Sequence, residues 1–249
     1  MNIKKNLILF SNMKKKFQKL FNFFGYYLIK KKNFEKLYRT LDHTIKYLIK
    51  NEDPVIFDVG AHTGESVIRF RNLFKNLNLH CFEPYTKSYN ILKKYENDKT
   101  KINNFALGDT NEVKKFYINK HSSTSGFYKL FEGLDINNNT LIEQIQIKTI
   151  DQYVDEKKIN FIDILKIDVQ GYESKVLKGA VKTLENKVKI IELEIIFTDY
   201  YEKKNSFREL ESIINPFGFE LYTISSPNLE NQSYRLKQLD AIYVSNKFF

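Results

Sequence analysis

The sequence predicts an α/β fold in which a mostly parallel sheet carries helices on both faces and opens a ligand crevice at the carboxyl ends of its strands. Three observations predict it. Val55-Ile-Phe-Asp-Val-Gly-Ala-His-Thr-Gly-Glu65 reads as a short buried strand, a glycine turn and the start of a helix. Leu79-His-Cys-Phe-Glu83 is a second short apolar run that ends in an acid. Ile162-Asp-Ile-Leu-Lys-Ile-Asp168 and Val188-Lys-Ile-Ile-Glu-Leu-Glu-Ile-Ile196 are apolar enough to read as central strands, covered on both faces.

In chain order, Leu41, Ile45, Tyr47, Leu48 and Ile49 predict a helix within Tyr38 to Lys50, ended by Glu52-Asp-Pro54. The strand Val55 to Phe57 follows, and then a helix with Val67, Ile68, Phe70, Leu73, Phe74 and Leu77 at close to one-face spacing. After the second strand comes a helix from Thr86 to Tyr95 and a third strand from Ile102 to Leu107, turned by Gly108-Asp109. Val113 to Ile118 and Glu143 to Ile150 alternate apolar and polar residues, as half-exposed strands do, around His121-Ser-Ser-Thr-Ser-Gly126 and an Asn-rich loop from Asp135 to Thr140. A polar insertion here would overhang the crevice, which makes Ser123 and Ser125 candidates for substrate contact; a plain exposed connection is the alternative. Beyond Asp168, Gly171 turns the chain into a helix from Tyr172 to Asn186. On the fifth strand Glu192 and Glu194 share one side, where two unpaired acids would be costly, so one of them, with Glu194 nearer the carboxyl end, faces the site or a lysine such as Lys166. Ser206-Phe-Arg-Glu209 is a capping box for a helix that Pro216-Phe-Gly218 stops. Phe219 to Ile224 and Ala241 to Val244 close the sheet across a polar loop.

The first glycine turn separates two kinds of ligand. A dinucleotide fingerprint would read G-x-G-x-x-G; here the pattern is Asp58-x-Gly60-x-x-x-Gly64, with a carboxylate at the strand end. A carboxylate suits a ligand with positive charge and hydroxyls, such as S-adenosylmethionine, and suits a pyrophosphate poorly. Glu83, at the tip of the second strand, is placed to accept hydrogen bonds from two ribose hydroxyls.

In order and spacing, Asp58-Val-Gly-Ala-His-Thr-Gly-Glu65, Phe82-Glu-Pro84, Asn104-Phe-Ala-Leu-Gly-Asp109 and Asp163-Ile-Leu-Lys-Ile-Asp-Val-Gln-Gly-Tyr-Glu173 resemble the FkbM-type methyltransferases, over roughly Val55 to Gly218. The resemblance implies a class I methyltransferase fold, Rossmann-like, with a seven-stranded sheet and an antiparallel C-terminal hairpin. It also implies methyl transfer from S-adenosylmethionine, usually to a hydroxyl of a sugar or natural product. Gln170 stands where many members have Glu or Gln. The cofactor residues expected on these grounds are Asp58, Gly60, Ala61, His62, Gly64, Glu83, Pro84, Ala106 and Asp168. A hydroxyl acceptor must lose a proton. Asp168 is the base by position and His62 by its ordinary pKa, with cofactor contact the alternative role for each. Tyr172 and Glu194 join Ser123 and Ser125 as acceptor contacts. No compact motif supports a metal ion, although one bridging Asp168 and Glu194 is conceivable. The alternatives are a catalytically silent cofactor-binding or membrane-associated module, and an N- or nucleic-acid methyltransferase. The second lacks its Asp-Pro-Pro-Tyr type motif, since Asp168-Val-Gln-Gly stands there.

A chain of 249 residues with 42% hydrophobic content suffices for one core. Its single cysteine, Cys81, excludes an internal disulfide and reads as a small buried hydrophobe. Charge divides the chain: residues 1–50 carry 13 Lys or Arg against only Glu35 and Asp42, so the whole net charge of +10 sits there. Residues 1–50 are read as a basic, aromatic-rich helical extension, and residues 51–249 as the methyltransferase domain, with a hairpin-like insertion at about 110–150. The extension either lies on anionic lipid at the inner face of a membrane or packs on the domain. A cytoplasmic protein is expected, without a nucleic-acid partner, because the catalytic region lacks a wide basic groove.

Overall fold

The computed structural model describes residues 16, 17, 19–24, 40–131, 141–230 and 233–249. They fall into two compact units, one up to Thr40 and one from Leu41 to Phe249. The Asn-rich loop Asp135 to Thr140 and most of the basic N-terminal segment lie outside the described residues.

The second unit begins with α1 (Leu41–Leu48), β1 (Val55–Val59), α2 (Glu65–Leu73), β2 (Asn78–Phe82), α3 (Thr86–Leu92) and β3 (Thr100–Asn103). There follow β4 (Ala106–Leu107), β5 (Glu112–Ile118), β6 (Leu141–Lys148), α4 (Ile150–Glu156), β7 (Ile162–Ile167), α5 (Glu173–Lys178) and α6 (Val181–Asn186). The chain closes with β8 (Val188–Ile196), α7 (Phe207–Ile214), β9 (Phe219–Ile224), β10 (Asn228–Leu229) and β11 (Leu236–Ser245). The main sheet runs β3-β2-β1-β7-β8-β11, and β9 and β10 both pair with the outer edge of β11. The pairs from β3 to β8 are parallel, and β11 is antiparallel to β8 and β9. This is the class I methyltransferase arrangement, with the order reversing at β1, so the crevice opens where the carboxyl ends of β1 and β7 diverge.

Side-chain alternation builds a core on each face. From β1, β7 and β8, Ile56, Ile164 and Ile190 point to one face, beneath Ile45 of α1 and Val67 and Phe70 of α2. Phe57, Leu165 and Ile191 point to the other, packed with Tyr153 of α4, Leu177 and Leu184 of α5 and α6, and Ile214 of α7. Cys81 is a free, buried thiol among the first set, and burial pushes its pKa well up.

Three elements differ from expectation. The third strand ends at Asn103: the Asn104 amide donates to the carbonyls of Glu83 and Pro84 at 3.0 Å each, which draws the chain out of the sheet. Ala106–Leu107 then joins β5 and β6 in a second, three-stranded sheet. The helix predicted from Tyr172 to Asn186 breaks between α5 and α6. Gly179 lies so close to Gly108 that a Cβ would stand 1.9 Å from its carbonyl oxygen. There Asp151 caps the new helix start, accepting from the backbone N–H groups of Lys182 and Thr183 at 3.0 and 2.9 Å. Finally, β10 and the first half of β11 occupy the polar stretch read as a loop, because Leu236 and Gln238 pair with Leu229 and Asn228.

Glu192 shows how the sheet tolerates an acid. Arg69 of α2 donates to its carboxylate at 2.5 Å and to Asp42 of α1 at 2.6 Å. Arg69→Met would strand a buried carboxylate, at a cost of about 3–5 kcal/mol. Urea unfolding should show that loss, with much of it recovered in the double variant that adds Glu192→Gln; a loss within about 0.5 kcal/mol, as expected of ordinary surface substitutions, would refute the pairing.

Candidate active site

A cavity of about 720 Å³ lies at the carboxyl ends of β1, β2, β7 and β8. Its floor is the turn after β1, from Val59 to His62. One wall is apolar, formed by Phe82, Pro84, Ala106, Leu107, Phe116 and Phe127. Ser122 to Ser125 overhang it, and Asn228, Lys237 and Gln238 close the far side. Of the residues singled out from sequence, Gly60, Ala61, His62, Glu83, Pro84, Ala106, Ser123, Ser125, Asp168, Tyr172 and Glu194 all line it.

Asp58 and Gly64 do not line it. Asp58 is fully buried, accepts from the Ser66 hydroxyl and lies 3.5 Å from the Lys166 ammonium, so it holds β1, α2 and β7 together beneath the cavity floor. Gly64 serves packing: at φ +106°, a Cβ would lie 2.4 Å from the Tyr95 ring. Gly60 is similarly constrained from within. Its φ is +85° and a Cβ would stand 1.9 Å from the Asp168 carbonyl oxygen, so its glycine is required where β1 and β7 meet as well as where a ligand approaches.

Three acids that line the cavity are held in different states. Glu83 is buried and accepts from the backbone N–H groups of His62 and Tyr85, each at 2.9 Å. Burial pushes its carboxyl up to about 7 against those two donors. Asp168, at the end of β7, receives the Lys166 ammonium at 3.3 Å and the Gln170 amide at 2.9 Å. Burial would raise its pKa, but the Lys166 charge together with hydrogen bonds from Glu194, Lys166 and Gln170 holds the carboxyl below the usual range. Glu194 is pushed well above the usual range by burial and by the charge of Asp168.

Two non-glycine residues with positive φ stand at the cavity, His62 at 46° and Gln170 at 57°. The His62 ring lies 2.7 Å from the Ser122 hydroxyl and 3.5 Å from the Glu65 carboxylate. Ser122, rather than Ser123 or Ser125, is therefore the serine that reaches across to the β1 turn, while Ser125 accepts from the Asn119 backbone. Gln170 falls inside the Asp163-to-Glu173 motif, yet no pattern signals what its amide bonds. Of the two acids sharing one side of β8, Glu194 lines the cavity, while Glu192 stands beside Lys166 in the strand register and is bonded by Arg69; the Lys166 ammonium itself pairs with Asp58 and Asp168.

Of the cations along the wall, Arg69 and Lys166 are already engaged by buried acids. The other charged groups of the lining are Glu65, Glu83 and Glu194 against Lys237, so the space is acid-rich. That donor set fits a cationic, hydroxyl-bearing ligand such as S-adenosylmethionine. Among the described residues no group of three or more His, Cys, Asp or Glu side chains is placed to hold a metal ion.

Comparison with known proteins identifies the family. The 2-O-methyltransferase NoeI of Sinorhizobium fredii (strain NBRC 101917 / NGR234) is 26% identical over 184 residues, covering 68% of this chain and 74% of its own. Similar solved structures include magnesium protoporphyrin IX methyltransferase (ChlM) from Synechocystis PCC 6803 with bound SAM. It is 12% identical and has a TM-score of 0.44, with 84% of this chain and 79% of that one covered. Another is M. capricolum TrmK in complex with S-adenosyl-homocysteine, 13% identical with a TM-score of 0.45, over 84% and 69% of the two chains. The sequence model of the Methyltransferase FkbM domain matches residues 58–221, from the acid of the first strand to the closing hairpin. The chain thus belongs to the FkbM family of S-adenosylmethionine-dependent methyltransferases.

Proposed function

We propose that this enzyme methylates a hydroxyl oxygen of a sugar, glycan or other small natural product, with Asp168 as the base. The observation that carries this reading is an ionised carboxylate at the end of the central strand β7, facing a cavity with polar side chains on its far side. The name of the Sinorhizobium relative, a 2-O-methyltransferase, points to the same kind of acceptor atom.

When bound, the cofactor supplies an electrophilic methyl group on a positively charged sulfur. Glu83 would hold its ribose hydroxyls, the backbone of Gly60 to His62 would lie beneath it, and Pro84 and Ala106 would flank its flat base. Cavities of roughly 300–1,000 Å³ are usual for small-molecule sites, so about 720 Å³ leaves space for an acceptor beside the cofactor. Ser123, Tyr172 and the amides of Asn228 and Gln238 supply hydrogen-bonding partners for a polyhydroxylated acceptor. Much of the rate would come from holding the acceptor oxygen in line, and Asp168 would take the hydroxyl proton.

The N-terminal segment fits a supporting role. Residues 19–23 are helical, and Phe17, Leu20, Phe21, Phe23 and Phe24 are exposed among lysines. No described helix is long and apolar enough to cross a membrane. We read this surface as a peripheral contact with anionic lipid, through apolar insertion and charge attraction.

Three outcomes test these readings. Because Glu83 must be ionised to accept two ribose hydroxyls, protons compete with the cofactor below about 7. Calorimetric affinity for S-adenosylmethionine should rise with pH, by up to about tenfold per unit, and level off above that value. Glu83→Gln should weaken binding and flatten the profile; wild-type affinity in this variant would sink the ribose assignment. Asp168→Asn should bind the cofactor within a few-fold of wild type yet lose about 10²–10⁴-fold in turnover, the usual worth of a positioned base; retained turnover would assign the base elsewhere. Vesicles containing anionic phospholipid should sediment the full chain, while neutral vesicles should not. Replacing Phe23 and Phe24 with serine should weaken that binding by about tenfold or more; unchanged sedimentation would remove the apolar contact.

A further inference from the structure

We propose that Asp168 and Glu194 act as one carboxyl pair that holds a single proton, with Gln170 as the positioning residue that sets the pair. The inference deepens the methyl-transfer reading and rests on it for its role in turnover.

The geometry begins with one amide group. Gln170 Nε2 donates to Asp168 Oδ1 at 2.9 Å and to Glu194 Oε2 at 3.0 Å. An amide has two N–H donors, so both are spent in bridging the two acids. The direction of the amide is set from its other end, where the Tyr201 hydroxyl donates to Gln170 Oε1 at 2.6 Å. The backbone is set as well. Gln170 has φ +57°, a left-handed conformation that is unfavourable for a residue with a side chain. Buried Glu173 braces that turn by accepting from the N–H groups of Val169 and Gly171, at 3.2 and 3.0 Å. A strained, braced turn therefore aims one amide at two carboxyls.

Two acids bridged by one amide, Glu194 buried and Asp168 only partly open to the cavity, cannot both carry charge cheaply. Among the described residues one cation bonds the pair, Lys166, and it reaches only Asp168, at 3.3 Å. Glu194 has the neutral Gln238 amide instead, at 3.0 Å. The proton consequently belongs on Glu194, and Asp168 stays ionised. The surrounding charges agree. Lys166 also faces Asp58 of β1, Glu192 of β8 is neutralised by Arg69 of α2, and Asp240 of β11 and Glu173 of α5 add negative potential at Glu194. Burial and these acids push the Glu194 carboxyl up, and Lys166 keeps that of Asp168 down.

In turnover, the acceptor O–H bond breaks and its proton passes to Asp168. The pair then holds two protons and returns one to water before the next cycle. Glu194 is thereby the proton-holding partner that keeps Asp168 ionised between cycles.

The test is a carboxyl ¹³C NMR titration of the full chain, labelled at Asp and Glu, without ligand. Wild-type Glu194 should titrate at least one pH unit above an ordinary glutamate, and the Asp168 resonance should register the same step. Asp168→Asn should lower the Glu194 midpoint by at least one unit, a tenfold loss of proton affinity. Gln170→Gly removes the amide at a position where glycine adopts the backbone readily, and it should separate the two titrations. Glu194 titrating in the ordinary range, or indifferent to Asp168→Asn, would overturn the pair. A titration in Gln170→Gly identical to wild type would overturn the role of Gln170. Since no acceptor is used, these results stand apart from the turnover of Asp168→Asn, and either reading can fail alone.

Discussion

The site depends on one ammonium group buried between two carboxylates. Lys166 extends from β7 to lie 3.5 Å from Asp58 on β1 and 3.3 Å from Asp168 beyond the end of β7. Burial alone would push its pKa down, but Asp168 and Asp58 outweigh that and keep it charged. Removing charges from water costs several kcal/mol per ion even after relaxation, and such groups persist only with close partners. Lys166 therefore pins the carboxyl end of β7 to that of β1 where the strand order reverses, and leaves Asp168 ionised at the cavity edge.

The same constraint explains why the cavity is acidic. Arg69 is held by Glu192 and Asp42, and Lys166 by Asp58 and Asp168, so neither is available to screen Glu83 or Glu194. Both of those acids are buried and have raised pKa values. An acid whose folded pKa is raised binds protons more tightly folded than unfolded, so native stability falls as pH rises from its unfolded to its folded value. For Glu83 that window closes near 7. A ligand that brings positive charge and hydroxyl donors offsets this cost on binding, and an anionic ligand adds to it.

Much of the architecture was legible because it is local. Short apolar runs ending in Asp58, Glu83 and Asp168 mark strands whose carboxyl ends meet at one edge, and the family blocks fall on those same turns. Long-range choices were not legible. Asn104 leaves the sheet because its amide finds the carbonyls of Glu83 and Pro84, a contact across about 20 residues. The helix after Tyr172 breaks because Gly179 abuts Gly108 and Asp151 caps the second half. Asp58 was assigned to the ligand by position, whereas folding covers it with Ser66 and Lys166. A carboxylate at a strand end reads the same whether it faces the crevice or the layer beneath.

These differences share a pattern with consequences for function. The floor and Phe82, Pro84, Ala106 and Leu107 of the apolar wall come from segments close in sequence to β1, β2 and β4, the part the sequence motifs describe, while Phe116 and Phe127 come from β5 and the connection after it. The far side comes from Ser122 to Ser125, Asn228, Lys237 and Gln238, which belong to a hairpin connection and the last two strands. Those segments meet the rest only through tertiary contacts, such as His62 with Ser122 and Glu194 with Gln238. Substitutions on that side can alter shape and polarity without touching the Lys166 ion pairs or the glycines that join β1 to β7. The fold thus separates a half held by buried charge and close packing around Lys166 from a half held by hydrogen bonds between side chains distant in sequence.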